Sequence, residues 1–145
     1  IIQEGSVDEV FKNPSNRFVA RYAGIRNFFR VEISMENGIL TGVTKHKVRF
    51  KLEGENIGKD SLLIIKSDSI ILTRERPHNE ELNIIKGKIT EIIPSEFGME
   101  ITLDAGDLFY VNMLSSFFEK LNLVEEEEVW MNFPSKAIIV LKGPV

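Results

Sequence analysis

Arg26-Asn27-Phe28-Phe29-Arg30-Val31-Glu32-Ile33-Ser34 and Leu82-Asn83-Ile84-Ile85-Lys86-Gly87-Lys88-Ile89-Thr90 carry one pattern twice. Asparagine falls on asparagine, cation on cation, isoleucine on isoleucine and hydroxyl on hydroxyl, at a spacing of 56 residues. A second pair of stretches, Lys66-Ser67-Asp68-Ser69-Ile70-Ile71-Leu72 and Pro134-Ser135-Lys136-Ala137-Ile138-Ile139-Val140, aligns at a spacing of 68. The second copy is therefore longer by about a dozen residues, roughly the size of a helix expected at 116–123 with its flanks. A repeat of this length implies two small units that cover each other's apolar faces, since neither buries enough surface to stand alone.

Around the repeated stretch the period is two. Phe29, Val31 and Ile33 alternate with Arg30, Glu32 and Ser34, which predicts a strand with one face buried. Asn37-Gly38 signals a hairpin turn. From Val43 to Leu52 the alternation places His46, Val48, Phe50 and Leu52 on one face and Lys45, Lys47, Arg49 and Lys51 on the other. Two apolar stretches follow, Leu62–Ile65 and Ile70–Leu72, and then a polar segment at 74–81 containing Pro77, which is expected to be a linker or exposed loop. The second half repeats the habit. Ile84 to Ile93 is β-branched, Met99-Ile101-Leu103 alternates, and Asp104-Ala105-Gly106-Asp107 turns into Leu108-Phe109-Tyr110-Val111. Ser116-Phe117-Phe118-Glu119 has capping-box spacing ahead of Leu121 and Leu123, and Val129–Phe133 and Ala137–Leu141 close the chain as strands.

Ahead of the repeat, Ser6-Val7-Asp8-Glu9 is another capping box, Pro14 ends that helix, and Phe18, Val19 and Tyr22 lie on a second short one stopped at Gly24. The start Ile1-Ile2-Gln3, with neither methionine nor signal peptide, is what a cut inside a longer protein would leave. Hydrophobic residues at 43% fit a folded chain of 145 residues, and a net charge of −4 gives no reason to expect nucleic acid as a partner. The absence of cysteine excludes disulfides and thiolate metal sites. No apolar run is long enough to span a bilayer as a helix.

Gly5-Ser6-Val7-Asp8-Glu9-Val10-Phe11, then Pro14, then Phe18-Val19-Ala20, resembles the segment that follows the nucleotide-binding core of ABC-transporter ATPases. Gly24-Ile25-Arg26-Asn27 is similar to the "S-A-R-N" opening of Mop (molbindin) units, and Ile65-Lys66-Ser67-Asp68-Ser69-Ile70-Ile71-Leu72 to their "I-K-A-S-D-V-x-L" ending. Asn83 to Leu141 resembles a further Mop or TOBE unit, with Leu121-Asn122-Leu123 in place of "L-G-L". The resemblance covers nearly the whole chain. It implies a mainly β fold: two OB/Mop-like small β-barrel units, at 24–80 and 81–145, preceded by a short helical leader at 1–23 that is the tail of an ATPase domain. It also implies a homodimer, a missing N-terminal ATPase domain that alone would bind ATP, permease subunits reached through the full-length protein, and a cytoplasmic place against the inner face of the membrane. Walker A, signature and Walker B motifs are absent, so this chain cannot itself house ATP hydrolysis. Where the family has a "T-x-x-S" pair before "L-G-L", this chain has Leu114 and Phe117, with Ser115 and Ser116 nearby but out of register. The family lysine position in the second unit is Pro134, with Lys136 two places on.

The ligand so implied is molybdate or tungstate, a tetrahedral dianion with four acceptor oxygens and no donors. A site for it needs convergent hydroxyls, amides, backbone N–H groups and one or two cations; neutral donors in a cavity of fixed size discriminate against phosphate better than extra charge does. Arg26 with Asn27, and Lys66 with Ser67 and Ser69, provide this mixture; Asn83, Ser115, Ser116, Ser135 and Lys136 are the candidates in the second unit. In the Mop family the anion sits between units, so a partner chain would complete each half-site. Each candidate also has a plain reading. Arg26 can be a solvated cation, Lys66 and Ser67 polar turn residues, Asn27 and Asn83 structural groups such as Asx turns, and Ser116 a helix cap.

Other features read as structural. The Lys45-Lys47-Arg49-Lys51 face and the run Glu125–Glu128 are expected to be solvated, and Trp130, Met131 and Phe133 to be core or interface. His46 and His78 stand apart from any ligand cluster, so no metal is expected. Two other functions fit the same residues. One is an ABC regulatory or dimerisation module with no small-molecule ligand, or one serving a sugar, polyamine, iron or sulfate importer. The other is a free-standing oxyanion-storage protein, against which the ATPase-like leader argues. No nucleophile–base constellation points to an enzyme.

Overall fold

The computed structural model describes residues 27–54, 59–96 and 98–142. The helical leader, its capping box, the Gly24 stop and Arg26 lie outside the described residues. The described chain folds into two compact units, one gathering the residues up to Lys66 with those from Ser135 onward, the other Ser67–Pro134.

The first unit is an antiparallel five-stranded sheet. Its strands are β1 (Asn27–Glu36), β2 (Ile39–Thr44), β3 (Arg49–Lys51) and β4 (Asp60–Ile65), and the last strand of the chain, β10 (Ile138–Lys142), adds at one edge to give the order β10-β4-β1-β2-β3. Asn37 (φ 52°) and Gly38 (φ 78°) form the left-handed pair that joins β1 to β2. Phe29 and Val31 point into the core, and the Phe29 ring meets Phe50 at 5.1 Å. β4 sits between two neighbours and buries Ser61 through Ile65 without alternation, the mark of a strand covered on both faces.

The alternation expected through Val43–Leu52 holds only from Val48. A turn intervenes, in which Val48 N donates to Thr44 Oγ1 and Lys47 takes a φ of 72°. The turn resets the period, so His46 is exposed while Val48, Phe50 and Leu52 are buried.

The second unit has the order β5-β9-β6-β7-β8, with β5 (Ile71–Thr73), β6 (Leu82–Ser95), β7 (Gly98–Asp104), β8 (Leu108–Leu114) and β9 (Glu128–Pro134). One short helix, α1 (Ser115–Leu121), follows β8, and the core holds Ile89, Ile101, Leu103, Phe109, Val111 and Met131. A β-bulge interrupts the β6–β7 ladder between Ile89 and Glu91. Gly98 is required where β7 meets the end of β8, because an added Cβ would lie 2.0 Å from the Met113 carbonyl oxygen.

The two ladders reproduce the sequence repeat. Asn27 pairs with Ile65 as Asn83 pairs with Phe133, at spacings of 56 and 68. Ile139 pairs with Ile64 as Ile71 pairs with Asn132, again at a spacing of 68 on both sides. The pairs that close the two hairpins, Glu36 with Ile39 and Ser95 with Gly98, are 59 apart, so three of the added residues precede this point and nine follow it, where α1 lies. The strands also cross over. β5 ends the first repeat in sequence but pairs in the second unit's sheet, and β10 ends the second repeat but pairs in the first unit's sheet. Each sheet is thus completed by the other repeat's last strand.

Candidate functional site

Strand register decides which candidates meet. In the first unit Asn27 stands across from Ile65, and Ile65 across from Ile138. One end of this sheet therefore collects Asn27 at the start of β1, Lys66 just after β4, and the 3-10 turn Ser135–Ala137 that leads into β10. Asn27 is fully buried, and its Nδ2 donates to the Ile65 carbonyl at 3.1 Å, tying β1 to β4. That bond crosses strands and is not an Asx turn. Lys66 and Lys136 are exposed and Ser135 is half-buried.

The corresponding end of the second sheet has different chemistry. Asn83 is buried at the start of β6, Pro134 ends β9, and the 3-10 turn Ser67–Ser69 leads into β5. At the repeat spacing of 68, Pro134 takes the place of Lys66, and Asp68 takes the place of Lys136. The first end thus carries two lysines, the second a proline and an acid. Ser67 and Ser69 are half-buried.

Ser115 and Ser116 form the exposed first turn of α1. The capping box expected at Ser116 does not form. β8 runs directly into the helix, so Leu114 occupies the cap position in extended geometry without a side-chain cap bond, and Ser116 falls inside the helix. Beside this junction lies an open groove of about 870 Å³, lined by Asp68, Ile71, Leu114, Phe117, Lys120 and Leu121 among others, but by neither serine.

The acidic run is not simply solvated. Glu126 pairs with Lys88 at 2.8 Å and Glu128 with Lys86 at 3.6 Å. Arg74, in a segment that reads as linker, donates from Nε to one oxygen of Glu127, from Nη2 to the other at 3.2 Å, and from Nη2 to the Asn122 carbonyl at the end of α1. Hydrogen bonding from Arg74 holds the Glu127 carboxyl below its ordinary range, and the same pairing raises Arg74; the Glu126 hydrogen bond raises Lys88. Trp130 is half-buried, with Lys86 at 5.6 Å and Arg76 at 5.7 Å over its ring, while Met131 and Phe133 are core. Nothing in the period of residues 74–81 marks Arg74 as a clamp; its partner is 53 residues away. Among the described residues no cluster of three His, Asp or Glu is placed to hold a metal ion. No helix among them is long and apolar enough to cross a membrane.

No family model and no curated protein matches the chain. Among solved structures, the chain is similar to the cytoplasmic molybdate-binding protein ModG with molybdate bound, at a TM-score of 0.70 and 15% identity, over 85% of this chain and 99% of that one. The likeness shows the fold. The chain is mainly β, built as two OB/Mop-like units, as the sequence repeat and the Mop resemblance together imply. The match takes in 85% of this chain, so it is not confined to one of the two sheets.

Proposed function

We propose that this chain is the regulatory part of an ABC-importer ATPase subunit that binds cytoplasmic molybdate or tungstate and feeds back on transport. The observation that carries the reading is the end of the first sheet, where register brings Lys66 and the Ser135–Lys136 turn beside Asn27. Two cations, a hydroxyl and turn N–H groups are the donors a tetrahedral dianion requires. The fold shared with a molybdate-binding protein supports the same ligand class. Arg26 would add a third cation next to Asn27.

In this reading the working unit is a homodimer joined to N-terminal ATPase domains and, through them, to permease subunits at the inner face of the membrane. Anion bound at the dimer interface stabilises one arrangement of the regulatory domains and slows ATP hydrolysis. The coupling is reciprocal, so ATP-driven closure weakens anion binding by the same factor. Chemistry stays in the ATPase domains and this chain contributes no catalytic group.

A second reading, an ABC module without a small-molecule ligand, is favoured by one observation. The second unit puts Pro134, Asp68, Leu114 and Phe117 where the Mop resemblance would place a lysine and hydroxyls.

Thermal melts with tungstate, molybdate, sulfate and phosphate at equal ionic strength separate the two. At an anion concentration a hundred times Kd, binding to the folded state alone adds about 2.7 kcal/mol. We expect a selective rise with tungstate or molybdate that Lys66→Ala and Lys136→Ala abolish while the far-UV spectrum stays unchanged. No rise with any anion, or a rise that both substitutions leave intact, rejects the oxyanion site at this end of the sheet.

A further inference from the structure

Helix α1 has the sequence Ser-Ser-Phe-Phe-Glu-Lys-Leu and buries none of its residues, despite two phenylalanines and a leucine. The groove beside it exposes more large apolar side chains than the monomer needs to. Ile71 is 64% exposed, Leu114 54% and Phe117 55%. All three belong to the second unit, and they converge from three elements: β5, the end of β8 and α1. A volume of about 870 Å³ would admit a small molecule. A small-molecule pocket, however, keeps its apolar lining covered, whereas side chains standing more than half out of the surface are what a protein interface covers. The groove also has a charged rim of both signs. Asp68 and Lys120 border it, and neither makes an ion pair among the described residues.

We infer that this groove is a two-fold contact between two copies of the chain, with Phe117 of each copy seated in the groove of the other. An isologous contact sets a patch against itself, so a partner must match its own rim. A rim with one acid and one cation meets that condition, because Asp68 of one copy then faces Lys120 of the other. An unrelated acidic or basic partner would leave one of the two unmatched. The apolar centre supplies affinity and the crossed charges supply register. This contact rests on the homodimer of the proposed function but does not need the anion.

The test is the solution mass of the full chain, measured by light scattering and sedimentation with and without tungstate. We expect a dimer in anion-free buffer. Phe117→Glu should weaken it roughly thirtyfold or more, the effect of losing an aromatic anchor. Since Phe117 is mostly exposed, that variant should keep the wild-type spectrum and melt as a monomer. Asp68→Lys and Lys120→Glu should each weaken the dimer, and the double variant should restore it, because reversing both charges rebuilds the crossed pairs. A wild-type chain that is monomeric throughout, or a dimer indifferent to Phe117→Glu and to both charge reversals, overturns the contact. A dimer that forms only with tungstate also overturns it while leaving the oxyanion site standing. An anion-free dimer with no thermal response to anions does the reverse.

Discussion

The two sheets have the same strand order, and their borrowed strands join in the same register, yet they hold those strands by different means. In the first, β10 contributes five paired residues against β4, whose Leu62, Leu63, Ile64 and Ile65 are all buried. Length and apolar burial do the holding. In the second, β5 contributes only three paired residues against β9, and Ile71 is mostly exposed. Here polar pins take over. Asn132 Nδ2 lies within hydrogen-bond distance of the Ile71 carbonyl at 3.0 Å and of Thr73 Oγ1 at 3.2 Å, and the next residue, Arg74, is clamped to Glu127 and Asn122. One strand exchange thus rests on length and apolar burial, and the other adds directional bonds to the burial of Leu72.

Removing the apolar holder should have the largest effect. A chain ending at Ala137 lacks β10 and leaves β4 as a bare edge with four large aliphatic residues. Each such residue contributes about 1.5–3 kcal/mol when fully buried. Uncovering even one side of all four removes a sizeable part of the whole stability of a domain, about 5–15 kcal/mol. We expect the truncated chain to lose the first unit's cooperative melt and to expose an aggregation-prone edge. A truncated chain that melts like the full one would show that β10 is decoration and that the comparison with β5 has no energetic content.

Asn132→Ala attacks the polar holder and should cost less. Asn132 is 4% exposed, and its loss leaves the Ile71 carbonyl without that donor. The expected cost is about 1–3 kcal/mol, read as a lower melting temperature and as faster amide exchange confined to β5 and β9. Asn27→Ala is the matched control in the first sheet, where the same side chain bonds Ile65. Its cost should be similar, but β10 should stay protected, because β10 is not held by an asparagine. Equal loosening of both borrowed strands would erase the distinction.

Much of this fold was legible because period and turn chemistry are local. The alternation of Phe29 and Val31 with Arg30 and Glu32, the Asn37-Gly38 turn and the paired spacings of 56 and 68 are all written within a few residues of where they act. The exchange was not legible. Ile70-Ile71-Leu72 and Ile138-Ile139-Val140 are nearly interchangeable in sequence, and either sheet edge would accept either strand. Periodicity says that a segment is a strand but not which edge it joins. For the site, the sequence named the residues at the end of the first sheet but grouped Lys66 with Ser67. Chain crossing puts Lys66 in the unit that also holds Ser135 and Lys136. Ser116 misled for a local reason, since capping-box spacing is read from a cap residue and the β8–α1 junction moves the cap to Leu114.

The smallest expected effect is at the clamp behind β5, and its sign follows from the direction in which Glu127 is shifted. Its carboxyl is held below the ordinary value of 4.5, chiefly by the Arg74 hydrogen bond. A depressed carboxylate stabilises the fold fully above its unfolded-state value and loses that contribution as pH falls through the folded one. Arg74 and Lys88 are shifted upward by their carboxylate partners, so their own deprotonation takes the pairs apart only in strong alkali. The acid limb therefore isolates Glu127 among these three. Glu127→Gln should lower the melting temperature only slightly at neutral pH, because the Arg74 side chain is exposed and solvent screens the pair. The gap between variant and wild type should narrow steadily below pH 4.5 and close once Glu127 is protonated. A gap that stays constant down the whole acid limb would mean that Glu127 acts through packing and not through its charge.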